Sequence, residues 1–143
     1  MRCTRISSAP VSPTYKGRIL GIVVLAVAQF TIGIIHVFFG FWLLYATSRI
    51  SAQSPLIYSV YTLAFGVLTL FCAYGIWRGR SWGWHGTVAV SLFVIVADAL
   101  TLLNLPSIPG IPKLAAAAEI VYSLIVLLYL SQKHIRAQYK VYE

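Results

Sequence analysis

Four long runs of apolar residues, separated by short polar breaks, organise this chain. They cover about residues 19–45, 55–77, 84–104 and 113–130. Each run is long enough to cross the hydrocarbon core of a bilayer as a helix, which takes about 17–25 residues. The breaks carry helix-stopping chemistry. Pro55 suits a first helical turn, where its missing N–H is not needed. Arg78-Gly79-Arg80-Ser81 is a short charged turn, and Leu105–Pro112 interrupts the chain with Pro106, Pro109 and Pro112. The pattern predicts an all-α membrane protein, a bundle of four transmembrane helices over residues 19–131. A polar tail (1–18) precedes the bundle and a basic tail (132–143) follows it. Connections this short make consecutive helices antiparallel neighbours.

The first run poses a choice. Lys16 and Arg18, followed by an apolar stretch and Ala26-Val27-Ala28, have the outline of a cleavable secretory signal. The apolar run does not stop there but continues through Phe30 to about Tyr45. A signal core is about 7–15 apolar residues followed by polar mature chain, so the expectation is a retained first span.

Polar residues inside the spans fall on single helical faces. Gln29, Gly33, His36 and Gly40 recur at steps of four, three and four, one stripe of the first span. Glycines on such a stripe permit a close neighbour. The third span carries Thr87, Ser91, Val94, Asp98, Thr101 and Asn104 at comparable spacing, the fourth Ala115, Ala116, Glu119 and Ser123. The second offers Tyr58, Thr62 and Thr69, with Tyr61 beside them. At a rise of about 1.5 Å per residue, His36, Asp98 and Glu119 all lie about 4–6 Å to the same side of their spans' midpoints. Thr62 and Tyr61 reach the same layer. An aspartate near a span's middle costs about 2.5–3.5 kcal/mol on insertion scales, so it calls for a partner or a task.

Three uses of this layer stay open. His36 pairs with Asp98 or Glu119 in a structural network with the Thr and Tyr hydroxyls. Alternatively the carboxyl groups and imidazole pass protons or bind a cation in a transporter. Thirdly, His36, Asp98 and Glu119 are candidate metal ligands, since three protein ligands with an open position is a catalytic zinc pattern. No HExxH-like motif supports the last.

Charge orients the bundle. The chain has 143 residues, 59% of them hydrophobic and 10% charged, with a mean hydropathy of +0.83. Its net charge of +8 sits at the ends of the spans, where it serves orientation and contact with anionic lipid headgroups. No nucleic-acid motif accompanies it, so nucleic acid is not expected as a partner. Of 11 basic residues, only Arg49 and Lys113 lie at one end of the bundle. Arg2, Arg5, Lys16, Arg18, Arg78, Arg80, Lys133, Arg136 and Lys140 lie at the other. The positive-inside rule makes both termini cytoplasmic. Trp77, Arg78, Arg80, Trp82 and Trp84 are the expected lipid and interface anchors at that end. Cys3 and Cys72 make neither a CxxC pair nor a disulfide framework, and Cys72 reads as a small packing residue.

The turn Gly75-Ile76-Trp77-Arg78-Gly79-Arg80-Ser81-Trp82-Gly83-Trp84 resembles those of small four-helix integral membrane proteins of prokaryotes that have no assigned function. So does Gly110-Ile111-Pro112 leading into a span that ends Leu128-Tyr129-Leu130 before a basic tail. The resemblance implies a four-helix bundle in the plasma membrane and supplies no catalytic residues. Better-known four-span families fit poorly. Small multidrug transporters carry a glutamate in the first span, and thiol-quinone reductases a CxxC. Glutathione-using membrane enzymes carry charges in the second span, and residues 55–77 carry none. The expectation is a non-enzymatic accessory subunit or oligomeric component of the plasma membrane, with no cofactor. Its partners are the bilayer and either further copies of itself or a larger complex. The alternative is a small transporter or proton- or cation-coupled carrier using Asp98, Glu119 and His36.

Overall fold

The computed structural model of the chain describes residues 14–15, 18–49 and 53–139. Four long helices follow the four apolar runs: α1 (Leu20–Thr47), α2 (Gln53–Trp77), α3 (Ser81–Leu102) and α4 (Lys113–Leu130). A two-residue antiparallel ladder, β1 (Thr14–Tyr15) with β2 (Arg18–Ile19), leads into α1 and adds no layer to the fold. All four long helices have the length and composition to cross a membrane. α1 passes unbroken through Ala26–Ala28, as the continuing apolar run predicts. The tail read over residues 1–18 lies outside the described residues apart from Thr14, Tyr15 and Arg18, and Lys140 lies outside them too.

The outside of the bundle is apolar. Phe38, Trp42, Leu114 and Leu128 are 61–85% exposed, in company with some two dozen other large apolar side chains. A water-soluble protein of this size would not tolerate so much continuous apolar surface, whereas hydrocarbon covers it without cost. With no hydrophobic drive between helices inside a bilayer, close approach must come from small residues. α1 and α2 show this. A Cβ on Gly33 would meet Leu70 Cγ at 2.7 Å and the Gly66 carbonyl at 3.1 Å, and one on Gly40 would meet the Leu63 backbone at 2.9 Å. The Gly33/Gly40 stripe is therefore the seam on which α2 rests. Gly75 and Gly83 touch backbone to backbone where α2 turns into α3. α4 in turn packs chiefly on α3.

Both inner helix ends are capped by left-handed residues. Gly79 has φ +68°, and the Arg80 and Gly79 amides donate to the Gly75 and Ile76 carbonyls at 3.0 Å each. This is the paired bonding of a Schellman motif. It tightens the turn so far that Trp82 and Trp84 belong to the first turn of α3 rather than to a loop. At the other end Asn104 (φ +56°) and Leu105 donate to Thr101 and Leu100 at 3.2 and 2.9 Å. Asn tolerates that conformation better than other side-chain-bearing residues, so α3 stops at Leu102, short of the expected residue 104.

The C-terminal segment departs from the expected polar tail. After a turn at Ser131-Gln132 it forms a short helix, α5 (Lys133–Gln138), folded back against the end of the bundle. Ile135 and Tyr139 are 0% and 2% exposed, in one cluster with Ile22, Ile76, Val126 and Leu130. The Tyr139 hydroxyl donates to the Ile76 carbonyl at 3.3 Å. Two apolar side chains at a spacing of four put a buried stripe on an otherwise basic segment, and that stripe outweighs the segment's polarity. Trp84 likewise does more than anchor an interface. Its indole N–H donates to the Leu130 carbonyl at 3.1 Å, tying α3 to α4, and the Arg136 guanidinium lies 5.9 Å from its ring.

Candidate functional site

The polar stripes of all four helices turn inward. Gln29, Gly33 and Gly40 of α1 are buried, as are Thr62 and Thr69 of α2. So are Thr87, Ser91 and Asp98 of α3 and Ser123 of α4. Between them lies a cavity of about 240 Å³. α1 lines it with Gln29, Ile32 and His36, α2 with Phe65, Thr69 and Cys72, α3 with Thr87, Val90, Ser91 and Val94, and α4 with Ala118, Glu119, Tyr122 and Ser123. Most of this wall is apolar, with polar groups at a few points, which is the usual make-up of a small-molecule site.

One ion pair spans the cavity. His36 Nε2 lies 3.5 Å from Glu119 Oε1, with side chains 21% and 30% exposed. His36 Nδ1 lies 2.9 Å from the Ile32 carbonyl of its own helix. A carbonyl can only accept, so Nδ1 carries its hydrogen and donates it. That leaves an Nε2 lone pair facing a carboxyl oxygen. The pair attracts only when one further proton lies between the two atoms, on either side. His36 and Glu119 thus form a site that holds a single exchangeable proton. Phe65 packs edge-on to the imidazole, 5.0 Å between centroids, and fixes its plane.

Among the described residues, three further polar atoms at this cavity have no hydrogen-bond partner: Gln29 Oε1, Thr69 Oγ1 and the Tyr122 hydroxyl. Gln29 and Thr69 are 4% and 5% exposed. The Gln29 amide N–H points to Thr87 Oγ1 at 3.5 Å, which orients its carbonyl oxygen away from that bond. A buried polar atom left unpaired costs about 1–3 kcal/mol, so three on one cavity mark a place built for an occupant that bonds to them.

The expected layer is divided rather than continuous. The structure joins His36 to Glu119 and not to Asp98. Asp98 is 0% exposed, does not line the cavity, and neither carboxyl oxygen has a hydrogen-bond partner. Thr62 is satisfied within α2, donating to the Tyr58 carbonyl at 2.8 Å. Tyr61 faces a groove between α2 and α3, stacked on Phe65 at 6.1 Å. Among the described residues, no three His, Cys, Asp or Glu side chains converge closely enough to hold a metal ion, so His36, Asp98 and Glu119 do not form a ligand set. Sequence reasoning placed Gln29, Thr69, Thr87, Ser91 and Ser123 on inward stripes without assigning them to a site. It did not single out Tyr122, whose one signal was its place one turn beyond Glu119 and Ala118.

Comparison of the chain with protein-family models, with curated proteins and with solved structures finds no match.

Proposed function

We propose that this protein is a small membrane carrier that binds a molecule in its central cavity, coupled to the proton held by His36 and Glu119. Of the two expectations drawn from sequence, the carrier is the one the cavity favours; the accessory-subunit reading has no comparable observation behind it. The observation that carries the proposal is the convergence of three unpartnered polar atoms and one proton-holding pair on a single cavity shared by four helices. A structural network alone would be expected to satisfy its own members, since a half-satisfied one is worse than an apolar core. Asp98, buried beside the site without a donor, is the second intramembrane carboxyl group and belongs to the same machinery in this reading. The distribution of Lys and Arg supports an orientation with both termini in the cytoplasm and the Trp77/Trp82 end against anionic headgroups.

The test is purification in mild detergent, followed by mass spectrometry of the intact particle and of its extracted small molecules and metals. The expected outcome is a particle built only from this chain, with a co-purifying small molecule that Glu119→Gln removes. A stoichiometric second protein with an empty cavity would favour the subunit reading instead, and a bound metal an enzyme.

A further inference from the structure

Resting on the carrier reading, we propose that the cavity takes a small lipid-soluble amine, bound as its ammonium ion in place of the proton shared by His36 and Glu119.

The hydrogen-bonding inventory comes first. Gln29 Oε1 and the Glu119 carboxylate can only accept, and the Thr69 and Tyr122 hydroxyls can accept as readily as donate. An occupant that satisfies all four must be rich in donors. A carboxylate or phosphate has none, a simple alcohol has one, and an ammonium on a single carbon has three. Charge points the same way. The bundle interior holds two carboxyl groups, Glu119 and Asp98, which interact with each other, against the one imidazole of His36. With the His36 proton gone, the Glu119 carboxylate is left without its counter-charge, which a monocation supplies. Phe65 and Tyr122 supply aromatic faces at the same cavity, and such faces attract ammonium groups.

The apolar wall sets the rest of the ligand. Ile32, Val90 and Val94 give the cavity apolar wall against which the hydrocarbon part of a ligand packs. Phe65 and Val90 also line the groove of about 350 Å³ between α2 and α3, with Tyr61, Leu68 and Phe93. Phe65 and Val90 are thus wall common to cavity and groove, and the proposed route for a molecule dissolved in the bilayer is sideways past them. The volume of about 240 Å³ suits a body of roughly one ring. The exchange balances: the ammonium enters, the proton leaves, and the carboxylate keeps one counter-charge throughout. The titratable groups that line the cavity with Glu119 are His36 on α1, Cys72 on α2 and Tyr122 on α4, while Tyr58, Tyr61 and Asp98 lie outside it within electrostatic reach. His36 is the one in contact with Glu119.

The experiment uses the full chain in lipid nanodiscs with benzylamine, benzyl alcohol and benzoate as matched probes. Binding is measured by equilibrium dialysis, and proton release in weakly buffered solution. The amine is expected to bind most tightly, to release up to about one proton, and to weaken by about tenfold per pH unit as proton competition sets in. Glu119→Gln is expected to lower amine affinity by about thirtyfold or more and benzyl alcohol affinity by much less, since the alcohol carries no charge for the carboxylate to neutralise. The pH series needs only the wild type, so the proposal stays testable if the variant does not fold. Amine and alcohol binding equally without proton release, or benzoate binding best, would overturn the amine while leaving a ligand cavity in place. Binding of none of the three would overturn both this inference and the carrier reading.

Discussion

Replacing Asp98 by valine should make the protein more stable. Both carboxyl oxygens of Asp98 lack a hydrogen-bond partner and the side chain is 0% exposed. Each unpaired buried polar atom costs about 1–3 kcal/mol, and an aspartate near the middle of a span costs about 2.5–3.5 kcal/mol on insertion scales. The two lines of reasoning agree on about 3 kcal/mol that the aspartate withholds from stability. Valine is slightly larger in volume and differently shaped, and such a change in a tight site costs about 1 kcal/mol. The net expectation is a gain of about 2 kcal/mol. It is read from reversible unfolding in mixed micelles titrated with a denaturing detergent, comparing wild type with Asp98→Val. A loss of 1 kcal/mol or more would refute the reasoning, because it would mean that Asp98 bonds to a group that rewards its charge. If the gain appears and transport is lost, Asp98 is one of the residues kept for activity at the expense of stability.

The α1–α2 seam should be intolerant of bulk: Gly33→Val, driven into Leu70 and the Gly66 carbonyl, is expected to cost about 1–3 kcal/mol in the same assay. The folded-back C-terminus should contribute to stability as a core element, so Ile135→Ala is expected to cost about 2–5 kcal/mol; a change within error would show that α5 does not dock. Trp84→Phe, which removes the N–H that bridges to Leu130, should lose about 0.5–1.5 kcal/mol, measured as a shift in thermal melting in detergent. For orientation, cysteines introduced near Lys16 and Ser107 should be labelled by a membrane-impermeant reagent from opposite sides, with Ser107 outside; labelling of the Lys16 site from outside would invert the topology.

What the sequence determined by itself is everything that depends on a residue's own chemistry and its near neighbours along the chain. Unbroken apolarity over a bilayer's thickness dictates a helix, because no other open backbone satisfies its polar groups in hydrocarbon. Gly79, Asn104 and the prolines of residues 105–112 end helices through local torsions. The inward faces were legible for the same reason: Gln29 with Gly33 and His36, Thr87 with Ser91, and Glu119 with Ser123 recur at helical spacing within their own spans, and each is buried or lines the cavity. Depth could be counted as well, and it placed His36 and Glu119 at one level, where they meet at 3.5 Å. Rotation of one helix against another could not be counted. A few tens of degrees about a helix axis decide whether a side chain enters the cavity or passes beside it, and those degrees come from contacts such as Gly33 on Gly66 and Gly83 on Gly75. That is why Asp98, at the depth expected of it, stands outside the cavity without a partner, and why Tyr122, on no evident motif, lines it. The fate of the C-terminal tail was decided in the same way. Ile135 and Tyr139 gain their apolar pocket only once α1, α2 and α4 have assembled it from Ile22, Ile76, Val126 and Leu130, a surface that exists nowhere along the chain until the helices are packed.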